Sequence, residues 1–370
     1  MRKALFAIIV CFFEVAIAQP SMAGGPVTAE LAAVFARTGI DISAVRIETP
    51  FAATMPLIDA HNHLNGNMTA EALIRLMDRA GVESMVLMPR HYRAPSDGGL
   101  ATDEQALDYS QRYPGRFIPF IGGQRDDLGP RSINDPSSVH FVLREFSNKL
   151  AKNHYRGLGE FILVHHAYDV GAGETGGEVR IPVDHNLMRR VAAIASKHRV
   201  PVVFHAEAEE RPAKEAEALF AAFPDTLFIW AHNGGRASAD ETARRLRRFP
   251  NLMCDLGHMF NGPRTQGGYG KGWPRKTPWV HLVQDDAGRI LPEMKQLFEA
   301  FPDRFMIGTD TAHTHMLKFY EYRIAMFRVM LAQLAPEAAR KIGVENARRV
   351  FLKSVDEGRA KNRRVELVKR

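Results

Sequence analysis

The chain has 370 residues, 45% of them hydrophobic and 25% charged, an ordinary globular composition. That length buries a large core without disulfide or metal staples, and its two cysteines, Cys11 and Cys254, provide no disulfide framework. The net charge is +7, but Lys and Arg are dispersed except near Lys361–Arg364, and no nucleic-acid motif accompanies them; this argues against nucleic acid as a partner and for a solvated basic surface.

Arg2 and Lys3 precede an apolar run from Ala4 to Ala18 that is too short for a comfortable membrane span, interrupted at Glu14. Residues 1–23 therefore read as a signal peptide, cleaved after Ala18 or after Ala23, each preceded by a small-x-small pattern. The expected product is exported, periplasmic or extracellular, with no stable membrane span. Cys11 leaves with the signal and Cys254 stays behind as a buried thiol. Residues 24–54 form an N-terminal extension whose Thr28–Arg37 stretch has helical spacing, with Leu31, Val34 and Phe35 on one face and Gly39 at its end.

A regular alternation begins at Leu57. Strands are expected at Leu57–Ala60, Val82–Met88, Phe117–Ile121, within Gly157–Val164, and at Pro201–His205, Leu227–His232, Leu252–Leu256 and Phe305–Asp310. Thr69 caps a helix closed by Gly81, and Thr102/Gln105 and Ser238/Glu241 fit capping boxes. An aromatic–proline pair precedes four of the strands: Tyr113-Pro114, Phe223-Pro224, Phe249-Pro250 and Phe301-Pro302. Proline cannot continue a helix and drives the residue before it to extended angles. Eight apolar strands alternating with helices predict an α/β fold, a closed (β/α)8 TIM barrel over residues 55–352, with C-terminal helices and a basic tail at 353–370. A doubly wound nucleotide fold is disfavoured, because His61-Asn62-His63 stands where a glycine-rich loop would follow the first strand.

The polar residues at the strand ends carry the chemistry. In an extended chain residues i and i+2 share a face, so His61 and His63 can converge on one point. Glu160 lies in strand four, His205 ends strand five, His232 strand six and Asp310 strand eight. In a barrel these ends open on one face, where active sites sit. Six such metal-ligand types at one mouth predict a metal site, since buried charges are costly unless paired or metal-bound.

The segments "IDAHNHL", "GLGE", "VVFHAE", "WAHNGG" and "MIGTD", in this order from about Met55 to Phe351, resemble the amidohydrolase superfamily, specifically its amidohydrolase-2 (metal-dependent TIM-barrel hydrolase) branch. The resemblance implies that His61, His63, His205 and Asp310 match metal-binding positions. It implies that His232 binds a second metal or polarises the substrate. Glu160 stands where many members carry a carboxylated lysine that bridges two metals, which leaves open one ion or two.

Histidine nitrogens and carboxylate oxygens suit zinc, with manganese or iron as alternatives. Such an ion lowers the pKa of a bound water from ~15.7 to roughly 7. Asp310 is expected to take that water's proton and deliver it to the leaving group, and His232 to stabilise charge on the substrate oxygen. Glu207 can orient a histidine ligand from behind. Arg90 and Arg93, after strand two, can grip an anionic group of a small-molecule substrate. His165 and His166 read as loop histidines. The long Gly257–Pro292 stretch, which holds Trp273, is expected to cover the mouth and shape specificity. The predicted function is metal-dependent hydrolysis of an amide, lactone or ester. The alternatives are non-oxidative decarboxylation of a carboxylated aromatic or muconate-type substrate at the same site, and a non-enzymatic metal-containing binding barrel. A glycosidase would need two opposed carboxylates and is disfavoured. A homo-oligomer is compatible with all of this.

Overall fold

Each aromatic–proline pair ends a helix in the same way. The helices Asp103–Arg112, Glu210–Ala222, Ala239–Arg248 and Pro292–Ala300 stop at Tyr113, Phe223, Phe249 and Phe301, whose φ angles lie between −119° and −131°. Each of these aromatics still donates its backbone N–H to the carbonyl four residues back, so the helix closes one residue before the ring that proline excludes.

The computed structural model describes residues 27–91, 99–128, 133–166, 178–259 and 282–352. Residues 1–26 (which include the expected signal segment), Arg93, Trp273, most of the stretch after strand seven (260–281) and the tail 353–370 lie outside the described residues. Among the described residues no helix is long and apolar enough to cross a membrane.

The barrel strands are β1 (Leu57–Asp59), β2 (Val82–His91), β3 (Phe117–Pro119), β4 (Leu158–His165), β5 (Val202–Ala206), β6 (Phe228–Trp230), β7 (Leu252–Asp255) and β8 (Phe305–Met306). Parallel ladders join β1 to β2 and β2 to β3. Others run β4–β5–β6–β7–β8. A parallel bridge between Ile121 and Leu158 links β3 to β4, and Ala60 N–H donates to the Ile307 carbonyl at 2.9 Å, linking β1 to β8. With both seams joined the sheet is a closed barrel, as the alternation predicts.

Two apolar layers hold it. Ile58, Val86, Met88, Ile118, Phe120, Val203, Ile229, Met253 and Met306, one or two from each strand except β4 or from its end, pack together with Val344, Ala347 and Phe351. The chain near Phe351 closes the end opposite the mouth: Asn346 Nδ2 donates to the carbonyls of Pro302 and Phe305 at the start of β8, and the Phe351 ring meets Phe120 edge-on at 5.5 Å. Outside the strands, Phe204 stacks on Trp230 at 5.4 Å and Phe220 packs against Phe228 at 5.1 Å. The N-terminal helix Ala29–Thr38, capped by Thr28 and ended by left-handed Gly39, buries Leu31, Val34 and Phe35 as predicted.

The differences from the sequence reading are local. Ser238/Glu241 forms both halves of its capping box. Thr102 accepts from Gln105 N–H, but the Gln105 side chain turns to Gly66 and Tyr109, so only half of that box exists. Strand two runs on to His91, which puts Arg90 inside a strand and buried. Strands six and eight are shorter than predicted, and His232 and Asp310 lie beyond them in left-handed backbone, φ 59° and 47°.

Candidate metal centre

All six predicted ligands meet at one mouth, and they do so in two groups. His61 and His63 place their Nε2 atoms 3.4 Å apart, at 3.7 and 3.4 Å from Glu160 Oε2 and at 3.6 and 3.2 Å from Asp310 Oδ1. His205 Nδ1 and His232 Nε2 lie 2.8 Å apart, each 3.5 Å from the other oxygen, Glu160 Oε1. The two sets His61–His63–Glu160 and Glu160–His205–His232 each have ligand atoms within 4.8 Å of one another. Glu160 belongs to both, one oxygen to each.

The backbone explains why these sequences are needed. After β6 the chain runs His232-Asn233-Gly234-Gly235 in four successive left-handed residues, φ from 56° to 75°. Asparagine tolerates that region and glycine adopts it freely. A Cβ on Gly235 would stand 2.1 Å from the Ala206 carbonyl oxygen. The turn folds His232 back over the mouth beside His205. Gly308 serves β1 similarly: a Cβ there would lie 2.4 Å from that of His61. Just beyond, Thr309 donates its N–H and hydroxyl to Asp59 at 2.8 and 2.7 Å, which locks the end of β8 to the end of β1.

A partner behind each of three rings fixes its proton. His61 Nδ1 faces Asp255 Oδ2 at 2.9 Å, His205 Nε2 faces Glu207 Oε1 at 3.0 Å, and His232 Nδ1 faces the Gly257 carbonyl at 2.6 Å. These oxygens accept only, so in the neutral rings the outer nitrogens are the N–H donors and the inner nitrogens present bare lone pairs. Lone pairs 2.8 Å apart repel unless a positive charge stands between them. Buried Glu160 Oε1, facing the same pair, takes no hydrogen bond. The donor set thus fits divalent cations.

The electrostatics agree. Burial opposes charge on Glu160 and Asp310. For Glu160 it is outweighed by His61 and by contacts to His205 and His232, for Asp310 by His258, His61 and His63, and both carboxyls are held well below the usual range. Burial likewise opposes charge on His61, His63 and His205, but the facing carboxylates win and raise all three above 6.5. His232 is lowered by burial, Arg236 and His205. The pocket favours positive charge among its carboxylates.

The remaining predicted residues fall as follows. Glu207 lies behind His205, pinned also by Arg236; burial raises its pKa, but Arg236 and His205 outweigh this and hold the carboxyl down at about 2. Arg90 donates to Gln124 Oε1 at 3.2 Å and to the Ala312 carbonyl at 2.6 Å, bracing the ends of β2, β3 and β8. His165 packs against the His205 ring at 5.0 Å, and His166 pairs with Glu209 at 2.7 Å; neither belongs to the ligand groups. Cys254 is buried, and burial pushes its thiol pKa up.

The sequence reading passed over three residues at the site. Asp255, at the end of β7, holds His61. Gln124 donates to Glu160 Oε2 at 2.9 Å. His258 Nδ1 stands 3.7 Å from Asp310 Oδ2. The available signal was a carboxylate at the end of an apolar strand, the same signal that located Asp310; for Gln124 and His258 there was none.

A closed parallel barrel with histidines and carboxylates converging at its carboxyl-end mouth defines a metal-dependent enzyme. The chain belongs to the amidohydrolase family, whose sequence profile (Amidohydro_2, "Amidohydrolase") matches residues 58–352. Comparison with curated proteins gives no match. Among solved structures, the chain is similar to an uncharacterized TIM-barrel protein from Bordetella bronchiseptica, at 15% identity over 80% of this chain and 98% of that one, with a TM-score of 0.51. It is also similar to a 4-oxalomesaconate hydratase from Rhodopseudomonas palustris, at 14% identity over 83% and 99%, with a TM-score of 0.50. At these identities the likeness is one of fold.

Proposed function

We propose that the protein is a hydrolase with two metal ions, zinc at both positions, that cleaves a C–N or C–O bond at the carbonyl of a small amide, lactone or ester. The observation that carries this reading is the division of Glu160, whose two oxygens face two separate histidine pairs. His61, His63, Glu160 and Asp310 would hold one ion; Glu160, His205 and His232 the other. When bound, such ions acidify water and polarise a carbonyl oxygen.

The chain's own groups do the rest. Asp310 turns Oδ1 to the histidines of the first group and Oδ2 toward His258, so one oxygen is available to accept a proton from the attacking water and pass it to the leaving group. Of the two roles considered for His232, the ligand role fits better: its Nε2 points at His205 and Glu160. Arg93 and Trp273 are proposed for substrate recognition; Arg90, buried and donating to Gln124 and the Ala312 carbonyl, is proposed to hold the strand ends instead. Residues 1–23 direct export, which N-terminal sequencing of the mature protein checks.

The test is elemental analysis of purified protein, then a screen of lactones, amides and esters beside carboxylated aromatics and muconates. Two equivalents of zinc with hydrolytic turnover support the proposal. Release of CO2 from a carboxylate substrate without hydrolysis replaces it with the decarboxylase reading.

A further inference from the structure

One carboxylate behind the mouth touches both ligand groups. Asp255 is buried at the end of β7. Its Oδ2 accepts a hydrogen bond from Nδ1–H of His61, 194 positions away, at 2.9 Å. Its Oδ1 accepts from two backbone donors, Gly257 N–H at 2.9 Å and His232 N–H at 3.3 Å. The Gly257 carbonyl in turn accepts from His232 Nδ1 at 2.6 Å. The left-handed backbone at His232, φ 59°, turns that N–H toward Asp255. Gly257 lies close against the His61 ring, with room for a Cβ only at 3.1 Å.

We infer that Asp255 is a positioning residue that sets the tautomer of His61 with one oxygen and anchors the His232 turn with the other, so that a single side chain prepares a ligand for each ion. The inference rests on the two-ion reading for its second half and on His61 alone for its first.

The two oxygens are not equivalent, and this gives an unusual expectation for Asp255→Asn. The amide must keep its oxygen where two backbone N–H groups point, because the reverse orientation sets an NH2 against two donors. Its nitrogen then faces His61 Nδ1 and donates to it. The neutral ring must accept there and carry its proton on Nε2, the atom that faces His63, Glu160 and Asp310. The isosteric variant therefore turns a ligand nitrogen into an N–H. Asp255→Ala removes the acceptor but imposes no tautomer, and the space can admit a water that accepts from His61.

The experiment measures zinc stoichiometry, and zinc affinity by competition with a chromogenic chelator, on wild type, D255N, D255A and H61A, with circular dichroism to verify folding. The affinity of the ion that His61 holds, identified as the one lost in H61A, is expected to fall about 10–100-fold in D255N and by less in D255A. The His205–His232 ion is expected to survive in D255N and weaken in D255A, whose turn has lost its anchor. If D255N binds zinc as wild type does, or if D255A is the worse of the two at the His61 ion, Asp255 is only filling space and the inference is overturned. Wild type taking up one equivalent refutes the two-ion reading instead; the order of the two variants at the His61 ion still decides the tautomer role. If D255A does not fold, D255N against wild type decides it alone.

Discussion

His205 Nδ1 and His232 Nε2 approach to 2.8 Å although each ring has an acceptor behind it that claims its proton on the far side. Such a contact is stable only with positive charge between the rings. Removing metal with a chelator is therefore expected to lower thermal stability reversibly. At zinc concentrations of 100 times Kd the bound ion contributes about 2.7 kcal/mol, or roughly 5 °C in Tm for a domain of this size. An unchanged Tm on chelation and re-addition counts against the site.

Glu160→Gln separates a shared carboxylate from a simple ligand. The side chain faces both histidine pairs, and the amide can offer its one oxygen to only one of them, while its NH2 faces the other. Zinc content is expected to fall from two equivalents to one or none. Retention of two equivalents would sink the bridging role.

Asp310→Asn and His61→Ala should differ in kind. Losing the proton acceptor is expected to reduce kcat by about 10²–10⁴-fold while part of the metal remains. His61→Ala is expected to lose the first ion and the activity together. Wild-type turnover in Asp310→Asn removes the proton-transfer assignment.

The pH dependence has a definite sign. In the metal-free protein His61, His63 and His205 have pKa values raised above 6.5, burial opposing and the facing carboxylates prevailing. Their protonation stabilises the metal-free fold fully below about pH 6.5, and this contribution is lost as pH rises through the folded values. A cation must displace those protons. Zinc affinity, and the gap in Tm between loaded and metal-free protein, should both widen from pH 6 upward. A gap that narrows over that range contradicts the assignment.

Far from the mouth, Phe351→Ala empties the barrel floor against Phe120. The expected cost is about 3–5 kcal/mol, read by chemical denaturation, with zinc content per folded molecule unchanged. Loss of metal in the folded variant would mean that floor and mouth are coupled.

Much of this arrangement was legible in the chain itself. Apolar runs, capping residues and the aromatic–proline pairs are local signals, and each acts through backbone angles of a few residues; they located the eight strands and the helix ends at Tyr113, Phe223, Phe249 and Phe301. His61, His63, Glu160, His205, His232 and Asp310 could be picked out because each follows or interrupts an apolar strand. The reach of β2 to Arg90 was hidden, since polar residues at a barrel rim look like loop. So was the left-handed turn at His232, which reads as strand until its two glycines are weighed.

The sequence by itself determined the order of strands and helices and the kinds of ligand atom available, because periodicity and side-chain chemistry are properties of neighbours along the chain. Only the tertiary structure decided which ligands pair, that Glu160 gives one oxygen to each pair, and that Asp255 stands behind His61. Those facts depend on strand ends hundreds of residues apart being brought side by side when the barrel closes, and no local pattern records which polar atom will then face which.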